Sequence, residues 1–246
     1  PSRGLGDVYK RQAEDRGRVM AFGIILCRGV DAFLSFLFVE PAWQGRRIGR
    51  AVLDACLRGA GEGVERVSTC AEANQPVSTA LYAKLGLAPR APVYLLRGSL
   101  PDDALPGLPD GVRRRPVRAH DVAAFDRDLV GYERPEDHAL WARERTSALF
   151  FDDDGGVLGY GYAHPSGRIG PVAAATPAHL PAFVGYLARV TQVLEGRQLV
   201  VPGPAISALQ PLLEAGLRID GSPAVYCSEG PGPALDRYIP MSYALL

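Results

Sequence analysis

Apolar residues recur along this chain with two periods, and the change from one to the other lays out the elements. Over residues 33–39, Phe33, Leu34, Phe36, Leu37, Phe38 and Val39 form a near-continuous apolar run, the pattern of a strand covered on both faces. Glu40-Pro41 ends it, because proline has no N–H to give to a ladder. After Gln44-Gly45-Arg46-Arg47, apolar residues return at helical spacing as Ile48, Val52, Leu53, Cys56 and Leu57. A helix therefore opens at this loop and stops at Gly61 and Gly63.

The same reading places strands at 19–27, 64–71 and 91–97. Arg28-Gly29-Val30-Asp31 is a hairpin turn into the central strand, and a helix starts at Asn74-Gln75-Pro76 and ends at Gly86. Residues 99–111, with three Pro and two Gly, read as a linker. A second unit follows. Its predicted strands are 112–117, 147–151, 156–163, 168–175, 199–202, 224–228 and 238–245. Its predicted helices are 121–130, 135–145, 177–194 with Thr176 as N-cap, and 205–215. The acidic run Asp152-Asp153-Asp154-Gly155 lacks the later ligands of a calcium loop and reads as a hairpin turn. Residues 1–12 show no apolar period and are read as a non-native tail.

The two halves echo each other. Val19-Met20-Ala21-Phe22-Gly23 is matched by Val157-Leu158-Gly159-Tyr160-Gly161, and Leu85-Gly86-Leu87 by Ala215-Gly216-Leu217, in the same order of elements. A whole α/β unit is repeated. The fold class expected is α/β (α+β), with two tandem mixed-sheet domains and helices on both faces. The boundaries are 13–98 and 112–246. Measured against the second copy, the first lacks an opening strand and helices. The activity of a chain truncated in this way is left open.

Composition narrows the function. The chain has 246 residues, 47% of them hydrophobic, enough for sizeable cores. Lys plus Arg equals Asp plus Glu, 27 each, so bulk charge implies neither a nucleic-acid partner nor a membrane surface. Arg113-Arg114-Arg115 reads as a solvated strand edge. No apolar run reaches the roughly 18 residues of a span and there is no secretory signal, which points to the cytoplasm. Cys27, Cys56, Cys70 and Cys227 lack metal-ligand spacing and read as reduced, buried thiols. His120, His138, His164 and His179 lack the spacing of a helix metal site and read as surface or capping residues, so no metal is expected. Trp43 and Trp141 read as packing residues.

The loop between strand and helix carries the chemistry. A helix's first turn has unpaired N–H groups and a dipole that favours anions. Gly45 and Gly49 let a phosphate approach, and Arg46, Arg47 and Arg50 add charge. The glycine spacing is not that of GxGxxG. Gln44-Gly45-Arg46-Arg47-Ile48-Gly49 resembles the Q/R-x-x-G-x-G/A loop of the GNAT superfamily of acetyl-CoA-dependent N-acetyltransferases. Asn74, and Tyr82 ahead of Leu85-Gly86-Leu87, follow in the order that family shows. One position departs, since Arg47 stands where the family usually has Gly. A positive φ there would strain Arg47; otherwise it is one more phosphate contact.

The resemblance implies acetyl-CoA as co-substrate. Its diphosphate would lie on Gln44, Gly45, Arg46, Arg47, Ile48, Gly49 and Arg50, and its pantetheine arm along Phe38, Val39 and Asn74. Backbone N–H groups near Phe38 and Val39 would polarise the carbonyl. Tyr82 would act as general acid toward the thiolate, and Glu40 as base, directly or through water. Asn74 as a helix cap and Glu40 as a cap beside Arg46 are the plainer alternatives. In the second copy Pro204 and Leu212 stand in place of Asn74 and Tyr82. Its loop, Ala173-Ala174-Ala175-Thr176-Pro177-Ala178-His179, has neither glycine pair nor Arg, so no coenzyme A is expected there. The function expected is N-acetyl transfer to a small-molecule or amino-terminal amine. The alternatives are a non-catalytic acyl-CoA-binding or sensing module, or a purely structural tandem domain.

Overall fold

The predicted alternation becomes a mixed α/β chain, seen in a computed structural model that describes residues 7–61, 63–193 and 196–246. In order it contains β1 (Asp7–Asp15), β2 (Arg18–Arg28), β3 (Asp31–Val39), α1 (Ile48–Ala60), β4 (Arg66–Glu72), α2 (Pro76–Ala83) and β5 (Ala88–Gly98). Next come β6 (Arg113–Arg115), α3 (Ala119–Val130), α4 (Pro135–Glu144), β7 (Thr146–Phe151), β8 (Val157–Ala163) and β9 (Ile169–Ala174). The remainder is α5 (Leu180–Val190), β10 (Arg197–Pro202), α6 (Ile206–Glu214), β11 (Arg218–Ile219), β12 (Ala224–Ser228) and β13 (Tyr238–Ile239).

Two compact units result. The first holds the described residues up to Arg90 together with Val225–Pro231 and Ala244–Leu246; the second holds Ala91–Ala224 and Gly232–Tyr243. The division falls inside β5, ahead of the stretch expected as a linker, and late segments of the chain return to the first unit. Residues 99–111 have no regular structure, yet they are not a free tether. Leu100 and Leu105 are buried in the second unit's core. Arg189 Nη1 donates to the carbonyls of Asp102 (3.0 Å) and Leu105 (3.4 Å).

In the first unit, strands run in the order β1-β2-β3-β4-β12. Residues 7–12, set aside as a tail by their pattern, lie in β1, which pairs antiparallel with β2 from Asp7↔Cys27 to Asp15↔Arg18. Their polarity marks a half-solvated edge strand. Helix α1 buries Val52, Leu53 and Cys56 against the sheet, in a core with Ile25, Leu34 and Leu87. A Cβ on Gly23 would meet Val52 Cγ1 at 3.0 Å and Cys56 Sγ at 3.1 Å, so glycine at that position lets the helix approach.

The other face of β2 and β3 differs from expectation. Phe36 is 40% and Phe38 54% exposed, with the Phe22 ring tilted against that of Phe38 at 5.3 Å between centroids. The apolar run is covered on both faces only as far as Leu34, and no described helix of this unit covers the rest.

The second unit has a sheet in the order β13-β9-β8-β7-β6, with β5 pairing β10 antiparallel. Helices cover both faces. On one, α5 stacks Phe183 on Phe150, ring centroids 3.9 Å apart. A Cβ on Gly161 would lie 2.5 Å from Leu187 Cδ1. Gly161 is the repeat partner of Gly23, and both glycines serve the same close helix approach. On the other face, α3 and α4 bury Tyr160 and Tyr162, which correspond to Phe22 and Ile24.

Three predicted elements are markedly shorter than expected, and one of them, strand 112–117, is reduced to β6. A 3-10 turn, Pro177–His179, precedes α5, which ends at Val190; Leu194 lies outside the described residues. The last strand is only Tyr238–Ile239. Asp152-Asp153-Asp154-Gly155 closes the β7–β8 hairpin, with Gly155 N–H bonded to Asp152 O at 3.1 Å. The three arginines form the exposed strand β6.

Candidate active site

The site grows from a fork. Strands β3 and β4 pair in parallel only from Asp31↔Arg66 to Leu34↔Thr69. β3 then continues beside β2 alone, from Phe36↔Ile24 to Val39↔Ala21, after a bulge at Ser35. Along 35–39 its other edge therefore has no strand partner among the described residues. Glu40 N–H donates to Met20 O at 2.8 Å, which fixes the alternation of the ladder. Glu40 and Phe38 turn their backbone groups to β2; Leu37 and Val39 turn theirs to the open edge. This corrects the expectation for Phe38, whose N–H is spent on the ladder. Leu37, not singled out from the sequence, offers its N–H instead. Gln44 Nε2 donates to Val39 O at 3.0 Å, so Gln44 closes the mouth of this edge. Ser35 Oγ donates to Ala244 O at 2.8 Å, so residues returning from the chain's end border the apex.

The mouth of the fork leads into the predicted loop. Gly45 has φ +75° and Arg47 φ +61°, so Arg47 does take the left-handed conformation that glycine adopts more easily. Arg47 is the N-cap of α1, and no side chain caps the helix. The first bond into the helix is Ala51 N–H to Arg47 O at 3.1 Å. The amides of Ile48, Gly49 and Arg50 are those a first turn leaves to solvent or ligand. A Cβ on Gly49 would sit 3.3 Å from Val39 Cγ2, so glycine brings the helix start against the open strand. Arg46 lies over Trp43, 4.7 Å from its ring centroid. Arg50 is engaged with Asp54 at 2.8 and 3.0 Å, while Arg46 and Arg47 have no ion-pair partner among the described residues.

At the other end of the open edge sits Tyr82, buried on α2. Thr69 Oγ1 donates to Leu34 O at 2.8 Å on the last rung before the strands part. Burial pushes the Tyr82 pKa up to about 12, with Thr69 pulling the other way, so the phenol is protonated at neutral pH. Asn74 is exposed in the turn between β4 and α2. The N-cap of α2 is Gln75, so Asn74 is not the cap.

Glu40 is ion-paired to Arg18, not Arg46. It stands six residues along β3 from Leu34, about 20 Å at 3.3 Å per residue. Tyr82 and Glu40 therefore lie toward opposite ends of the fork.

The second unit has the same fork, filled. β13 pairs with β9 through Tyr238↔Ala173 and Ile239↔Val172, and Ala174 N–H donates to Arg237 O at 3.0 Å. The edge that is open on β3 is occupied on β9.

Beneath it lies a buried polar network that sequence reasoning missed. His138, expected at the surface, is 2% exposed. Its Nε2 is 2.6 Å from Asp126 Oδ2 and its Nδ1 2.8 Å from Tyr162 OH. Tyr160 OH donates to Asp126 Oδ1 at 2.6 Å. Arg134 donates to Tyr238 OH at 2.7 Å, to Asp126 at 3.3 Å, and to Tyr160. Burial alone would raise the Asp126 carboxyl; Arg134 and His138 outweigh it and hold it below the ordinary value. One signal was present: Asp126 sits between Val122 and Leu129 on the buried stripe of α3. The four cysteines are free thiols, and burial raises the pKa of each, that of Cys27 to about 11.

Residues 11–86 match the family model described as an acetyltransferase (GNAT) domain. A Pyrococcus horikoshii protein described as an acetyltransferase superposes with a TM-score of 0.76 at 17% identity, covering 97% of this chain and 80% of that one. A GCN5-related N-acetyltransferase from Sphaerobacter thermophilus gives 0.57 at 18% identity, over 93% and 83%. A tandem GNAT protein from the clavulanic acid biosynthesis pathway gives 0.56 at 16%, over 93% and 85%. No curated protein matches the chain. The fold is the GNAT fold, and residues 11–86 carry its recognisable domain. No helix among the described residues is long and apolar enough to cross a membrane.

Proposed function

We propose that the first unit is an N-acetyltransferase domain acting from acetyl-CoA on a small-molecule or amino-terminal amine. The observation that carries this reading is the open edge of β3. It runs from an uncapped, basic helix start to a protonated, buried tyrosine at the apex. Such a groove fits a long donor with an anionic end. The amides of Ile48, Gly49 and Arg50, with Arg46 and Arg47, would hold the diphosphate. Gly49 keeps that end close to Val39. The backbone of Leu37 and Val39 would hold the arm as an added strand would be held, with Asn74 at its far side. Acetyl-CoA supplies a thioester whose C–S bond breaks as the amine nitrogen forms the new C–N bond.

In this reading Tyr82 holds the proton that the departing thiolate takes. Leu37 directs an N–H toward the open edge, where it can polarise a carbonyl oxygen. Burial of Thr69 and Tyr82 keeps water from the apex. The second unit takes no coenzyme A: β13 occupies its edge, and Pro177 and Pro181 remove donors near its helix start.

Thiol release measured with acetyl-CoA and a panel of amines tests the reading. Amine-dependent release is expected. Coenzyme A binding without release from any amine would instead favour an acyl-CoA-binding module, a reading that the left-handed Arg47 and the uncovered Phe36 and Phe38 support. No binding at all would leave a structural tandem domain.

A further inference from the structure

We infer that the second unit binds a phosphoryl group on a row of donors formed by Arg145, His164 and Arg168, at the end of its sheet where α4 runs into β7. The site is independent of the acyl-transfer reading of the first unit. Thr146 pairs with Ala163, and Ala163 with Ile169. One step further out, the backbone of Arg145 is still extended, and His164 N–H donates to Arg168 O at 2.8 Å. Arg145, His164 and Arg168 therefore stand side by side on three neighbouring strands, the two arginines about 10 Å apart at the backbone. Residues opposite one another share a face. Alternation from Leu149, which packs in the core with Val122 and Trp141, puts Arg145 on the face that α3 and α4 cover.

The row has donors to spare and no described carboxylate paired with it. Nε and Nη1 of Arg145 are shielded from solvent and have no hydrogen-bond partner among the described residues. Arg168 gives Nη1 to Met241 O at 3.0 Å and Nη2 to Gln198 Oε1 at 3.2 Å. Both acceptors are neutral, and a guanidinium has five N–H groups to place. Ser166 N–H donates to His164 Nδ1 at 3.0 Å, which leaves the imidazole hydrogen on Nε2. Neither arginine forms an ion pair among the described residues. Burial holds both guanidinium pKa values below the ordinary value. Arg168 adds to this at Arg145, and Arg97 at Arg168; only Glu144, exposed beside Arg145, opposes it. Half-buried cations without a counter-charge cost free energy, and an anion held by both removes that cost. The planar fork of arginine matches phosphoryl oxygens in pairs. A phosphoryl group of charge roughly −2 balances both guanidiniums, where a carboxylate balances one.

Inorganic phosphate titrated into the whole chain by calorimetry, at ionic strength held constant with chloride, tests the site. Binding is expected, and Arg145→Met or Arg168→Met should each weaken it roughly 10- to 100-fold. A phosphate resting on the start of α1 would be indifferent to both substitutions. Arg145→Lys, which keeps the charge and loses the fork, should fall between wild type and R145M. Urea unfolding followed by Trp141 fluorescence, in a Trp43→Phe background, separates a ligand site from a structural arginine. Without phosphate, R145M removes an uncompensated charge, so its midpoint should equal or exceed that of the parent. With phosphate the parent midpoint should rise and that of R145M should not. Phosphate binding that R145M and R168M leave unchanged, or no binding at all, would overturn the inference. So would a midpoint that falls in R145M without phosphate while the parent ignores phosphate. Acetate that raises the parent midpoint as far as phosphate does would overturn the phosphoryl assignment.

Discussion

Replacing Tyr82 with Phe is expected to lower kcat for amine acetylation about 10²- to 10⁴-fold, while coenzyme A binds as tightly as to the wild type. The ring stays, so the packing of α2 on the sheet stays. What goes is a buried, protonated hydroxyl beside the point where β3 and β4 part. The diphosphate end depends on the helix start, remote from Tyr82 along β3, so ground-state binding is untouched. Such a loss in kcat without a change in dissociation constant is the signature of an interaction made in the transition state. Coenzyme A titration by calorimetry, set beside initial rates of thiol release, reads both quantities. A Y82F chain that turns over like the wild type removes Tyr82 from the chemistry.

Asp126→Ala is expected to destabilise the second unit by about 3–5 kcal/mol, because it leaves a buried guanidinium without its counter-charge. The Arg134 side chain is 3% exposed and that of Asp126 0%. His138 and Tyr160 lose their acceptor at the same time. Against a typical domain stability of roughly 5–15 kcal/mol, such a loss brings the unit close to unfolding. Asp126→Asn, which keeps an acceptor and drops the charge, should fall between. Trp141 packs on His138 and Tyr162 at 5.2 and 5.4 Å between ring centroids, so its fluorescence in urea follows this core.

Acid should act on the same group without mutation. Because the folded carboxyl is held below the ordinary value, its contribution is full above the unfolded pKa of about 3.9. It is lost as pH falls through the lower, folded pKa. A midpoint for D126A within a few tenths of a kcal/mol of the wild type would mean that the network contributes no net stability.

How far the chain could be read in advance depended on the range of the interactions. Helix α1 was legible from Val52, Leu53 and Cys56, because its burial is local and periodic. The repeat was legible because Gly23 and Gly161 answer the same need, a helix pressed on a strand. The loop was legible from Gln44 to Arg50 since its form follows from backbone geometry, and Arg47's positive φ shows the geometry persisting without the glycine. The fork was not legible. Four paired residues on β3 followed by five with no described strand on that side is a tertiary fact. Return of β12 to the first unit and of β13 to β9 was equally hidden, since short apolar segments carry no address. The run Phe36-Leu37-Phe38 read as two-sided burial because composition does not say which covering elements are present. His138 looked like a surface residue because its partner Asp126 lies on another helix, where only a charge in an apolar stripe hinted at a pair.

Amide hydrogen exchange with and without coenzyme A tests most directly whether the first unit cradles the donor. The prediction is slowed exchange at Leu37, Val39 and the first turn of α1, with residues 169–185 of the second unit unchanged. Protection confined to the second unit, or none in the first turn of α1 at saturating coenzyme A, would contradict it.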